Sequence, residues 1–398
     1  MKLLEKESLE NLPPADRGFL AWRFLVVIFL ADALFWGPPL SFSVLLNYPP
    51  YTNMNPALAA STGTLCTGIM YCAGSILSPL LNKYRQLTVW GPRFGVVLCA
   101  GAFILSSYAT QDWQLLLSQG VIYPGLLFLA EWWIERRGFA GAIMFAGASL
   151  FGLIYPPIMD WALGKYGMSV TIRAICVAWS ICVVAILPFY HGRLPWSTRA
   201  KQNESRLMGY LTHPITWVLL ASNSLAFFVP IIYLPPFAKA IGHSGGIYLG
   251  LFSGMSVVGG IVVGTMSDYF GVFWLIGITS VTSTASILLL WGFCNSITML
   301  ASFSIIYGLT AGGFSCLWQG FVKLIDPEDL NPGKLIVIFV TSRGIANLIT
   351  GPITGTIFSH AKSEKSGYQK LIYFSGVLMA LSTVGMTSWF MKPKARMA

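Results

Sequence analysis

Apolar stretches of about 20 residues, bounded by polar or charged residues, recur along the whole length of this chain. A helix rises about 1.5 Å per residue, so about 20 residues cover the roughly 30 Å of hydrocarbon in a bilayer. Only 10% of the 398 residues are charged, against roughly 25% in soluble domains. The sequence therefore predicts an all-α membrane protein with twelve transmembrane helices. We number these predicted helices 1–12: residues 21–46, 58–81, 89–110, 113–133, 138–163, 169–190, 215–241, 245–266, 272–293, 297–322, 335–360 and 371–391.

Lys and Arg are unequally shared between alternate loops, which is the usual signal for orientation in a membrane. With the N-terminus inside, eighteen of them fall on the cytosolic side, six fall outside, and Arg343 lies within the bilayer. The net charge of +10 is then a topology signal, and we expect a lipid bilayer and no nucleic acid as partner. The prediction is a multi-pass protein of the plasma membrane with both termini in the cytosol.

A hydrophilic central segment separates two groups of six predicted helices. The expected organisation is a cytosolic tail (1–20), a six-helix half (21–190), a cytosolic linker (191–213), a second six-helix half (214–391) and a cytosolic tail (392–398). The Pro38-Pro39 pair of helix 1 recurs as Pro235-Pro236 in helix 7, 197 residues later. Gly/Pro-interrupted helices at matching positions in two halves indicate the binding region of a transporter. The alternative, that prolines are simply common in membrane helices, accounts for either pair alone.

Two of the charged residues inside predicted helices lie deep within them, Asp32 about 11 residues into helix 1 and Arg343 about 9 residues into helix 11. A charge at such depth costs several kcal/mol unless it is paired or hydrated, so both are functional candidates. We predict that Arg343 receives an anionic group of a solute and that Asp32 carries a coupling proton. The alternative is a structural ion pair, or an Arg343 satisfied by backbone carbonyls.

The remaining candidates lie on or near the broken helices. Trp36 and Tyr233 are predicted to close over a solute, and Pro38, Pro39, Pro235 and Pro236 to act as hinges. Asn223 and Tyr307 are further candidates for the solute and proton pathway.

Four stretches carry a resemblance to a known family: "DRGFLAW" (16–22), "WIERRGFAGAIMFAGASLFG" (133–152), "GTMSDYFG" (264–271) and "SPLLNKYR" (78–85). The chain resembles the major facilitator superfamily, in its monocarboxylate-porter branch and particularly the fungal members. This resemblance implies the twelve-helix fold of that superfamily, with alternating access between two six-helix halves. In the third stretch Asp268 is expected to cap or pair at a helix end and to take part in gating.

Two departures from the family pattern limit what the resemblance implies. Leu40 stands where animal monocarboxylate carriers place a lysine, and helix 8 lacks their Asp-Arg pair, so a lactate-type mechanism does not carry over. In helix 4, Tyr123 runs directly into Pro124, whereas helix 10 keeps the Gly-rich pattern "YGLTAGGF". Helix 4 is therefore predicted to be shortened.

The sequence holds no Walker loop, dinucleotide fingerprint, nucleophile motif or metal-ligand spacing. We expect no enzyme, no cofactor and no metal site, but a secondary active transporter of a small organic solute, driven by a gradient. A carboxylate-type solute is one candidate, and efflux of a fungal secondary metabolite is the alternative. A non-transporting membrane sensor on the same fold is the alternative of another class.

Overall fold

The computed structural model describes residues 18–83, 85–123, 137–189, 210–211, 213–224, 227–325 and 332–389, and all regular structure in these ranges is helical. The predicted all-α architecture is confirmed. Helix α1 is Phe19–Leu40, α2 is Pro56–Lys83 and α3 is Arg85–Ser107. Helix α4 begins at Asp112–Leu115 and continues as a π-helix over Leu116–Ile122. The rest of predicted helix 4, where the shortening was expected, lies outside the described residues.

Predicted helices 5 and 6 form one helical run, Arg137–Ile186, which is broken at Gly167. The backbone of Gly167 has φ 75° and ψ 174°, a conformation that glycine adopts without strain because it has no Cβ. We call the part before Gly167 α5 and the part after it α6. The break separates two stretches that are each long enough to span a bilayer.

The second half of the chain repeats this arrangement of helices. Helix α7 has two segments, Pro214–Ser224 and Phe228–Ala240, and α8 is Gly245–Tyr269. Helix α9 is Val272–Ala285 with a π-helical end, Ser286–Trp291, and α10 runs through Ile297–Ala311, Gly312–Leu317 and Trp318–Ile325. Helix α11 is Pro332–Ser359, and α12 is Glu364–Leu381 followed by Ser382–Trp389.

Seven helical stretches in the described residues are long and apolar enough to cross a membrane, and two shorter apolar helices accompany them. One of the seven, Ala146–Phe189, is 44 residues long and includes the break at Gly167, so it has the length for two spans. We call the side of the bundle where α1 begins the near face and the side where α1 ends the far face.

The Pro38-Pro39 pair lies inside the last turn of α1 and removes two donors from the helix. The carbonyls four residues earlier, on Leu34 and Phe35, therefore have no helical N–H to accept. Trp179 of α6 donates its indole N–H to the Leu34 carbonyl (2.8 Å), and the Tyr123 hydroxyl donates to the Phe35 carbonyl (3.2 Å). Neighbouring helices thus satisfy the backbone groups that the prolines free, as the apolar environment requires.

The two halves meet along α2 and α11, where small residues allow close approach of the backbones. A Cβ on Gly351 of α11 would collide with the Thr64 hydroxyl of α2, and a Cβ on Gly344 would lie 2.8 Å from the Gly68 carbonyl oxygen. Asn347 donates its side-chain N–H to the Thr67 hydroxyl across the same contact, at 3.2 Å. The Leu348 side chain of α11 packs against Gly68 of α2 in the same seam, so small residues on one helix make room for the other.

Candidate solute pathway

A cavity of about 100 Å³ lies between the two halves. Helices α1, α2, α5, α7, α8 and α10 contribute its lining, which is aromatic and aliphatic apart from a few polar side chains. The polar side chains are Asp32, Tyr71, Ser149, Ser253, Ser256 and Ser315. A largely apolar cavity with a few polar groups is the usual form of a small-molecule site.

Asp32 is the only charged residue among the described residues that line this cavity. Its side chain is 2% exposed, and its Oδ2 has no hydrogen-bond partner within the described part of the chain. Close packing at Gly147 of α5, where a Cβ would collide with the Phe29 carbonyl, encloses this part of α1. A buried polar oxygen without a partner is costly, so the position fits a role in binding a proton or a donor group.

Arg343 lies behind the cavity wall, held by residues that belong to that wall or pack against it. Its guanidinium donates to the Ser315 hydroxyl (2.6 Å) and lies over the rings of Phe227 (4.8 Å) and Trp318 (5.0 Å). Cation–π contacts of this kind are worth about 2 kcal/mol when desolvated. The charge of Arg343 is therefore already stabilised by the Ser315 hydroxyl and by two aromatic rings.

Tyr71 of α2 lies near both charged residues, and the sequence did not indicate it as a candidate. It lies close enough to both Asp32 and Arg343 to interact with their charges. Its ring lies 4.5 Å from the ring of Trp36, which also lines the cavity. In the sequence, Tyr71 is one more aromatic residue in an apolar stretch, and no signal separates it from the others.

The other predicted residues lie around this centre with different roles. Tyr307 is fully buried in α10, where its hydroxyl donates to the Phe227 carbonyl (3.0 Å) at the start of the second segment of α7. Tyr233 is buried farther along α7, with its ring 5.9 Å from that of Phe358. Asn223 lies in the last turn of the first segment of α7 and Asp268 in the last turn of α8, but their side chains lie outside what the structure describes. Pro38, Pro39, Pro235 and Pro236 lie inside α1 and α7 as predicted.

A polar cluster at the far face, which we call the far-face latch, ties the two halves together. Asp160 at the end of α5 accepts hydrogen bonds from the Ser244 hydroxyl and from the Gly246 N–H (3.2 Å), both at the start of α8. A carboxylate at this place satisfies free N–H groups of the helix and interacts favourably with its dipole. Asp160 was missed in the sequence, although a charge inside predicted helix 5 is the same signal that singled out Asp32.

The latch extends to the far end of α1. The Tyr48 hydroxyl donates to the Asp160 carboxylate at 2.8 Å, and burial, then the bond and charge of Asp160, raise the pKa of Tyr48. Tyr48 therefore stays protonated and keeps donating. Lys239 of α7 donates to the Asn47 carbonyl and lies 4.6 Å from the Tyr48 ring centre, and Asn47 donates to the Pro235 carbonyl at 3.2 Å.

The contacts along α8 show on which side the cavity is closed. Near its start at the far face, a Cβ on Gly250 would lie 2.7 Å from the Leu153 carbonyl oxygen of α5, so the two helices touch. Ser256 and Gly260, farther toward the near face, line the cavity instead. The described helices thus close the passage at the far face.

The family model of the Major Facilitator Superfamily matches residues 116–330 of this chain. This chain belongs to the Major Facilitator Superfamily. Solved structures agree with the fold of the superfamily: a nucleoside transporter, NupG, at TM-score 0.67 and 12% identity, covering 94% of this chain and 99% of that one. A D-xylose–proton symporter gives TM-score 0.66 at 15% identity, covering 94% of this chain and 98% of that one.

Several relatives of this chain are fungal transporters. The chain is 26% identical to the MFS transporter asaE of Aspergillus flavus, covering 94% of this chain and 87% of the relative. It is 24% identical to the aspyridones efflux protein apdF of Emericella nidulans, covering 94% and 78%. With this family, fold and set of relatives, the predicted function of a secondary transporter for a small organic solute is confirmed.

Proposed function

We propose that this transporter exports a small organic metabolite by alternating access, with Asp32 as the carrier of the coupling proton. The observation that carries the proposal is a cavity between the halves, closed at the far face, in which a buried carboxylate has an oxygen without a partner among the described residues. Two relatives named as efflux proteins, apdF and the fujikurins efflux protein of Gibberella fujikuroi (26% identical, covering 92% of this chain and 81% of the relative), support the direction of transport.

The distribution of Lys and Arg supports a cytosolic near face, with both termini in the cytosol. We propose the plasma membrane as the location of the protein. In that orientation the closed far face is extracellular, and we infer that a metabolite would be loaded from the cytosolic side. Release then requires the far-face latch to open and the near face to close.

The roles of the two buried charges follow from their surroundings. Asp32 lines the cavity and can exchange a proton with water when the cavity is hydrated. Arg343 is bound by Ser315 and by two aromatic rings, so we assign it the role of holding the cavity wall rather than of receiving an anionic group. Its planar, delocalised cation suits this stacked position better than a lysine would.

Flux into proteoliposomes tests the proposal. An imposed proton gradient is expected to drive uptake of a transported solute by the wild type, and Asp32→Asn is expected to remove the pH dependence while counterflow exchange persists. Asp112→Asn, which changes a carboxylate at the start of α4, is the matched control and should behave as wild type. Unchanged pH dependence in a folded Asp32→Asn protein would contradict the proton role. Binding without any flux would indicate the sensor alternative.

A further inference from the structure

The walls of the cavity restrict the chemistry of the solute beyond its being small and organic. Trp36 and Phe227 line it from the α1 and α7 sides, and Phe252 lines it from α8. The rings of Trp36 and Tyr71 are in contact, with their centroids 4.5 Å apart. Aromatic walls favour a flat or otherwise apolar body, because stacked and edge contacts add to the burial of apolar area.

Some polar groups of the cavity already have hydrogen-bond partners within the protein, and others remain available to a ligand. The Ser256 hydroxyl donates to the Phe252 carbonyl at 2.8 Å, and Ser315 accepts from Arg343 at 2.6 Å. Asp32, by contrast, keeps its Oδ2 without a partner among the described residues. The strongest unused group in the cavity is therefore an acceptor, and a ligand meets it with an N–H or O–H.

The charges in and near the cavity also disfavour a carboxylate solute. When Asp32 has released its proton, a carboxylate solute would lie beside a like charge, and like charges in a site of low polarity repel strongly. The positive charge that could offset this repulsion is that of Arg343, which is engaged with Ser315, Phe227 and Trp318 behind the wall.

We infer that the cavity takes solutes with an aromatic or other apolar body and a hydrogen-bond donor, an amine or a hydroxyl, that binds Asp32, in preference to carboxylates. This inference rests on the proposed use of the cavity as the transport site. It replaces the anionic solute expected from the sequence and names Asp32 as the residue that sets specificity.

Three probes with one ring system test the class: 1-naphthylmethylamine, 1-naphthalenemethanol and 1-naphthoate. Their affinities for the purified full-length protein are measured by isothermal titration calorimetry at neutral pH. The wild type is expected to bind the amine most tightly, then the alcohol, then the carboxylate. Asp32→Asn should weaken the amine about tenfold, since a charge-assisted bond becomes a neutral one, and should leave the alcohol nearly unchanged. Asp112→Asn should change none of the three.

A measurement on the wild type covers the case in which Asp32→Asn does not fold. A hydrophobic carbodiimide modifies buried carboxyl groups, and mass spectrometry follows the modification of Asp32. The amine is expected to slow this modification and the naphthoate to leave it unchanged.

Each contrary result overturns the inference: tighter binding of naphthoate than of the amine, unchanged amine affinity in folded Asp32→Asn, no protection of Asp32, or no binding of any of the three probes. The proposed transport function is tested separately by flux of the same probes in proteoliposomes. If the amine binds through Asp32 but does not cross the membrane, the inference stands and the transport proposal fails.

Discussion

Replacement of Asp160 by alanine is expected to shift the transporter toward a state that is open at the far face. The carboxylate of Asp160 accepts two hydrogen bonds from the other half of the molecule, from Ser244 and from the N–H of Gly246. Hydrogen bonds to charged groups contribute about 1.5–3 kcal/mol each. In the open state these groups would be solvated, so the lower value applies and the two bonds together favour closure by about 3 kcal/mol.

That difference corresponds to a change of roughly 100-fold in the ratio of open to closed molecules, since about 1.4 kcal/mol is a factor of ten. A cysteine at Ile231 reports the change, because Ile231 lines the cavity and is 4% exposed in the closed arrangement. A membrane-impermeant maleimide is added only at the far face of sealed vesicles, and mass spectrometry of the labelled peptide gives the rate. Labelling should be much faster with Asp160→Ala, and at an intermediate rate with Asp160→Asn, which keeps an acceptor oxygen.

Asp112→Ala is the control, because Asp112 also lies at the far face, at the start of α4. It should leave the labelling rate at the value of the Ile231→Cys protein alone. If folded Asp160→Ala is labelled no faster than this control, the latch does not set the balance between the two states, and the reasoning from hydrogen bonds across the halves is wrong.

Two further predictions concern the packing of the helices. Trp179→Phe keeps an aromatic ring but removes the donor to the Leu34 carbonyl, so thermal unfolding in detergent should show a loss of about 1–3 kcal/mol; the exposed Trp161→Phe should change little. Gly351→Ala places a methyl group against Thr64 and should cost about 1–3 kcal/mol through overpacking. Gly74→Ala, in the same pair of helices with open space around it, should unfold at the wild-type temperature.

The order and the approximate spans of the helices could be predicted because the bilayer fixes the length of an apolar helix. Asp32 could be found for a related reason, since a charge inside such a helix is costly and is rarely kept without a function. Asp160 carried the same signal, but it lies near the end of its apolar stretch, where a charge costs less. The sequence does not show that the start of α8 packs against Asp160, because Ser244 and Gly246 lie 84 and 86 positions from it along the chain.

The surroundings of Arg343 could not be predicted for the same physical reason. Its partners Phe227, Ser315 and Trp318 come from two other helices, and hydropathy does not record which side of a helix meets which neighbour. A buried arginine near a cavity therefore suggests an anion site in the sequence, whereas the structure surrounds it with aromatic rings.

The replacement donors at the proline pair of α1 have a mechanical consequence. Trp179 and Tyr123 hold the Leu34 and Phe35 carbonyls from within the same half of the molecule. Flexing α1 at Pro38 would pull both carbonyls from their donors inside the membrane, where each orphaned group costs several kcal/mol. We therefore expect the first half to move as one rigid unit rather than to flex at Pro38, with the movement taken up along the glycine-lined seam of α2 and α11.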